Sequence, residues 1–237
     1  MAVTRDDVIH TAIQLLQEVG LDGLTLRRLA TELGISAPTL YWHVKDKREL
    51  LDLMSEAMVR TSWEKMPPFP TDLSWDEKIA EGLRRQYESI IAYRDGARVV
   101  AGNRPTEAAL PGIEQFLKLW VLAGFPPDEA LAYTLSLGDF VTGCALEYQA
   151  EIERRRLQPV DQTASIWSRL EDYPTLQAAV ATRGAGSRAL AKSGRPNSNF
   201  ERGLRLLMSG LRLRHAELMA EQQKAADQPR PKASNTN

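Results

Sequence analysis

Apolar residues recur at three- and four-residue intervals along most of this chain, and alternating strand-like patterns are nearly absent. The periodicity predicts an all-α protein. A first helix runs from about Arg5 to Val19, capped by Thr4 with Asp7 three residues on, and Val8, Ile9, Ala12, Ile13, Leu16 and Val19 form its apolar stripe. Gly20 and Gly23 punctuate a turn. Thr25 caps a short second helix to about Leu33, which Gly34 stops as a left-handed cap. Ser36 caps a third helix with Pro38 in its first turn, and a fourth runs from near Lys47 to about Trp63.

The run MPPFP at 66–70 is a rigid break and marks a domain boundary. Beyond it, Ser74 and Glu77 form a capping box for a helix to about Tyr93. RDGARVVAGNRPT reads as an irregular crossing. A helix from about Thr106 to Ala123, kinked at Pro111-Gly112, precedes one from Pro127 to about Arg155 with Asp128 and Glu129 in its first turn. Short helices are expected at Ser165–Leu170 and Thr175–Thr182, then a mobile Gly/Ser/Arg-rich stretch, then a last helix from about Phe200 to Gln223. The domains are therefore 1–65, 71–223 and a polar, disordered tail at 224–237. No internal repeat is present.

Composition narrows the function. Apolar residues at 43% and charged residues at 26% support a packed core. The net charge of −1 removes any bulk basic surface, so contact with nucleic acid needs a local patch. The single cysteine, Cys144, rules out an intrachain disulfide and a cysteine-cluster metal site. His10, His43 and His215 stand far apart in sequence, so neither metal nor cofactor is expected. No apolar run approaches the roughly 18 residues of a membrane span, and the N-terminus has no signal core, so the expected location is cytoplasmic.

Three short helices joined by glycine turns suit a helix-turn-helix. The third exposes Thr39, Tyr41, Trp42 and His43, side chains suited to base edges and phosphates, and Lys45, Lys47 and Arg48 follow at once. Residues 1–60 nevertheless hold seven Lys/Arg against nine Asp/Glu, so only the placement of the cations argues for DNA. On pattern alone, a small helical subdomain with Tyr and Trp in its core stays open.

The segment LTLRRLATELGISAPTLYWHVKDKRELLD, above all TLYWHVKDKREL, closely resembles the helix-turn-helix of the tetracycline repressor family. The resemblance implies that Arg27 reaches a guanine edge and that Pro38 and Thr39 face thymine methyls and backbone. It also implies that Tyr41, Trp42, His43 and Lys47 hold phosphate or sugar. Ala37 replaces a long amide that reads adenine in the tetracycline repressors. The partner so implied is a double-stranded, pseudo-palindromic operator bound by a homodimer.

YRDGARVVAGNRPTE, LAGFPPDEALAYTLSLGDFVTGCALEYQ and FERGLRLLMSGL extend the resemblance to the tetracycline repressors' ligand-binding and dimerisation domain, with a gap at 151–199. By the resemblance, the helices at 127–155 and 200–223 form a four-helix dimer interface. Gly138, Gly143, Gly203 and Gly210 fit close helix approach there, since helical glycine costs about 1 kcal/mol relative to alanine.

The tetracycline repressors hold a magnesium-chelated drug through a histidine, and the matching position here is Val100. Gly82, Gln86, Phe116 and Trp63-Glu64 also depart from their drug contacts. The implied site is an apolar chamber of Ile113, Phe116, Leu117, Trp120, Leu131, Leu135 and Phe140, with Asn103, Arg104 and Pro105 near its mouth. Asp139 and Glu147 serve as polar anchors. It suits a largely hydrophobic effector of polycyclic size without metal. By pattern alone the apolar members are equally readable as core, and Arg104 as a helix-capping or ion-pair residue. A helical ligand binder without DNA binding is a second reading. An enzyme is a third, for which no nucleophile–base pair can be assembled.

Overall fold

The computed structural model describes residues 3–65, 67–157, 170–179 and 198–227. Helices run over Arg5–Gly23 (α1), Leu26–Glu32 (α2), Ala37–Tyr41 (α3), Lys47–Lys65 (α4) and Trp75–Ile91 (α5). Gly96–Val100 (α6), Leu110–Leu122 (α7), Pro127–Leu157 (α8) and Ser198–Asp227 (α9) complete the set, with a further helical turn at 174–179. No strand occurs among the described residues, and no helix among them is long and apolar enough to cross a membrane.

Local chemistry sets the helix starts. Thr4 and Asp7 exchange hydrogen bonds at the head of α1, as Ser74 and Glu77 do at α5. Thr25 and Ser36 accept from the backbone N–H of Arg28 and Thr39, at 3.1 and 3.3 Å. At Gly20 the backbone turns to φ +72°, which kinks α1 in its last turn; the sequence placed the helix end here, but the chain resumes helical geometry to Gly23. A Cβ at Gly20 would also lie 2.9 Å from the Asp95 carboxylate, so the kink is where α1 meets the start of α6.

Several boundaries differ from the pattern. The expected irregular crossing contains α6, whose five residues are too few to show a helical period. The expected kink at Pro111-Gly112 is instead a junction: a 3-10 turn over Glu107–Ala109 passes into α7, with Pro111 in the first turn where its missing N–H is harmless. The final helix begins at Ser198 and continues through Asp227, so the first residues assigned to a disordered tail are helical. The expected helix at Ser165 falls outside the described residues, apart from Leu170, which is not helical. The stretch 183–197 and the tail beyond Asp227 also fall outside them.

Two apolar cores form. The first gathers Val8, Ala12, Leu16, Leu29, Leu40, Leu50, Met54 and Met58 from α1–α4. It is completed by Val99 of α6, so the small helix after the linker closes the core of the N-terminal head. The second gathers Ile79, Leu83, Tyr87, Trp120, Phe125, Leu137, Val141, Leu204 and Met208 from α5 and α7–α9. Tyr87 stacks on Phe200 at 4.3 Å, and Trp75, Trp120 and Phe125 pack with ring centroids 5.2–6.3 Å apart.

Candidate nucleic-acid interface and effector site

Leu29, Ala30 and Leu40 are buried between α2 and α3 and set the two short helices against one another. This leaves Arg27, Ala37, Pro38, Thr39, Tyr41 and Trp42 exposed, and His43 half-buried. Trp42 is 88% exposed, an expensive position for an indole unless something covers it. The alternative that Tyr41 and Trp42 are core aromatics is excluded; Leu40 and Val44 fill that role.

The cations after α3 divide. Lys45 is exposed. Lys47 donates from Nζ to the Leu21 carbonyl, 3.2 Å away at the end of α1. Arg48 is turned from the reading surface: it hydrogen-bonds the Gly102 carbonyl and the Asn103 side chain, and pairs with Asp52 at 3.1 Å. Asn103, expected at the mouth of the chamber, donates back to the Leu51 carbonyl at 3.0 Å. It therefore belongs to a clasp between α4 and the loop after α6.

A second clasp joins α1 to the start of α6. Asp95, at a left-handed φ of 54°, accepts from the Leu21 N–H at 2.8 Å. Arg98 forms a two-pronged pair with Asp22, at 2.7 and 3.2 Å, and the hydrogen-bonded guanidinium holds the Asp22 carboxyl below its ordinary value. Arg94 donates to the Gln17 and Glu18 carbonyls at the end of α1. Sequence reasoning missed both clasps. Their one local trace is the charge density of Tyr93-Arg-Asp-Gly-Ala-Arg, which names no partner.

The expected effector residues separate into groups. Gln86 of α5, Val100 of α6, and Ile113, Phe116 and Leu117 of α7 are all half-buried. Phe116 lies directly on α5, with its ring edge 2.7 Å from where a Cβ of Gly82 would stand. Arg104 and Pro105 face a cleft of about 490 Å3 between head and core, opposite Asp52, Glu56 and Arg60 of α4. Trp120, expected among the chamber's lining, is wholly buried in the aromatic core instead.

Leu131, Leu135, Asp139 and Glu147 lie on the exposed outer stripe of α8 and do not close a chamber within one chain. Trp63, expected at the chamber's edge, packs edge-on against Phe69 at 6.0 Å instead. Among the four glycines expected at close helix contacts, Gly203 receives the Phe140 ring, whereas Gly138, Gly143 and Gly210 meet no side chain among the described residues.

No group of His, Cys, Asp and Glu able to hold a metal occurs among the described residues. Cys144 is half-buried, and burial pushes its thiol pKa up, away from a reactive thiolate.

Residues 8–54 match the family described as bacterial regulatory proteins, tetR family, and residues 67–215 match the tetracyclin repressor-like C-terminal domain. The chain is 36% identical over 208 residues to the tetracycline repressor protein class C of Escherichia coli, covering 87% of this chain and 90% of that protein. Among solved structures, Streptomyces coelicolor ActR in complex with (S)-DNPA superposes with a TM-score of 0.69 at 30% identity, covering 89% of this chain and 98% of that one. A variant of TetR from Acinetobacter baumannii AYE in complex with minocycline gives 0.64 at 29% identity, covering 90% and 99%.

Proposed function

The chain belongs to the TetR family of bacterial transcriptional regulators, and from that premise we propose a homodimeric repressor whose metal-free, largely hydrophobic effector releases it from a pseudo-palindromic operator. The observation that supports DNA reading is the exposed face of α3, where Tyr41 and Trp42 stand uncovered beside Thr39 and Pro38. Arg27 on α2 is the candidate for a guanine edge, and Lys45 and Lys47 lie where phosphates pass.

Support for the effector comes from the half-buried set of Gln86, Val100, Ile113, Phe116 and Leu117. It is apolar except for one amide. Magnesium takes near-octahedral oxygen or nitrogen ligands and gives up its waters reluctantly. Val100 offers no donor, and the Phe116 ring packed on Gly82 adds hydrocarbon to the set. The minocycline and (S)-DNPA of the two related structures set the size range of candidate effectors.

A route from effector to DNA follows from α6. Val100 packs against the core of the large domain, while the same helix is clasped to α1 through Asp95 and Arg98 and flanked by the Asn103 clasp to α4. An effector that prefers a displaced α6 shifts the population of heads away from the operator spacing.

Footprinting on the adjoining intergenic DNA, repeated with candidate effectors in EDTA, tests this reading. A symmetric protected site, lost on adding an active effector with EDTA present, is the expected result. No protection would favour a ligand binder without DNA binding. Release abolished by EDTA and restored by magnesium would show that another group supplies the missing metal ligand.

A further inference from the structure

Arg85 of α5 is only 7% exposed, far more deeply buried than an arginine ordinarily lies. Its guanidinium sits 4.4 Å from the centre of the Phe69 ring and 6.0 Å from that of Trp63. Nη1 donates to the Pro67 carbonyl at 2.8 Å, and Nε faces Glu81 at 3.2 Å. Trp63 is in the last turn of α4, and Pro67 and Phe69 form the linker. One buried cation thus gathers the end of the head's last helix, the linker and α5.

The connection continues. Glu81 also faces Arg84 at 3.9 Å, and Arg84 makes a two-pronged pair with Glu201 of α9, at 2.9 and 3.2 Å. Glu201 is itself buried. α9 carries the exposed leucines 206, 207 and 213. A chain of charge-assisted contacts, buried at Arg85 and Glu201 and half-buried at Glu81 and Arg84 between them, therefore runs from the leucine-bearing helix to the end of α4.

The head's other ties differ in strength. The Arg48–Asp52 and Arg98–Asp22 pairs are solvent-exposed, and such pairs contribute little. A buried cation fixed by a carbonyl, a carboxylate and two rings is costly to disrupt. The first turns of α4 are held by the half-exposed Arg48–Asp52 pair and the part-buried Asn103–Leu51 hydrogen bond, and its far end by a buried pin.

We infer that Arg85 is a positioning residue for operator recognition: it fixes the pivot of α4 and so sets the half-site spacing that the two heads can span. This rests on the dimeric DNA-reading function above. Inserting one central base pair moves the half-sites about 3.4 Å apart and rotates them by about 34–36°. A pinned pair of heads rejects such a site, and a loosened pair accepts it.

The test uses the full-length protein, its footprinted operator, and versions with one or two base pairs inserted at the centre. The parent is expected to bind the natural spacing at least about tenfold more tightly than either insertion. Arg85→Met, which keeps the apolar stem, should bring the three affinities within about twofold of one another. Arg85→Lys should restore discrimination by returning a cation to the Phe69 face.

A merely structural role would lower the melting temperature and weaken all three duplexes alike, with the parental ratio preserved; that outcome overturns the pin. Phe69→Leu, which removes the ring and leaves the guanidinium its carbonyl and carboxylate, gives the same reading should Arg85→Met fail to fold. A parent that shifts none of the duplexes overturns the dimeric-reader function and the pin with it. A parent that discriminates beside variants that discriminate equally overturns the pin alone.

Discussion

At the scale of single residues, the head sorts its cations by what each already holds. Arg27 is exposed on α2, free to meet a base edge. Lys47 already gives Nζ to the Leu21 carbonyl, so its charge is held at a fixed point at the end of α1. Arg27→Ala should cost about 1–3 kcal/mol of operator affinity and relax the preference at one base pair. Lys47→Ala should weaken all sequences alike and flatten the salt dependence by about one unit. Binding to single-substituted operators across a salt series separates the two. Equal, sequence-independent losses would make Arg27 a phosphate contact. The pattern put Tyr41 and Trp42 outward but left a core role open for them; the structure closes that alternative, because Leu40 and Val44 occupy the inward positions of the same turn. The diversion of Arg48 to Gly102 and Asn103 was not, since its partners lie 54 and 55 residues away.

At the scale of elements, caps were legible and clasps were not, for one physical reason. A capping residue and its partner are three positions apart, as at Thr4–Asp7 and Ser74–Glu77, so the chemistry is written locally. α6 depends on distant groups. Its start is fixed where Asp95 accepts from the Leu21 N–H of α1, its Arg98 by Asp22, and the Ala97 N–H by the side chain of Gln149 on α8. The effector set split for a similar reason: periodicity shows which residues share a helix face, but not whether that face is wholly covered, as at Trp120, or left open, as at Leu135. The clasp gives a pH signature. Arg98 lowers the folded-state pKa of Asp22, so its contribution is complete above the unfolded carboxylate value and is lost as pH falls through the lower folded value. Carboxyl titration by NMR should find Asp22 below the usual Asp range, returning to it in Arg98→Ala. An unchanged Asp22 titration in that variant would mean that the pair does not form in solution.

At the scale of the whole molecule, a net charge of −1 gives no long-range attraction to DNA, and one head offers only a few cations. Useful affinity then requires two heads acting together, each raising the effective concentration of the other at its half-site. The surface of the large domain fits that need. α8 and α9 pack through Phe140 on Gly203, and their outward stripes leave Leu135 at 62% and Leu206 at 75% exposure, with Leu131, Leu207 and Leu213 beside them. Gly138, Gly143 and Gly210 add no side chain to these faces and meet nothing among the described residues, so another pair of helices can approach closely. So many exposed leucines on two neighbouring helices are costly in water unless a second copy covers them. Leu206→Glu places a carboxylate in that contact without touching the interior, because the side chain points outward. Sedimentation equilibrium should show the parent as a dimer and the variant as a monomer, with the helical circular dichroism unchanged. Operator binding should fall by at least about a hundredfold, the scale at which linked sites lose their mutual advantage. A variant that remains dimeric would place the interface elsewhere on the molecule; a monomer that binds the operator as tightly as the parent would show that each head reads its half-site alone.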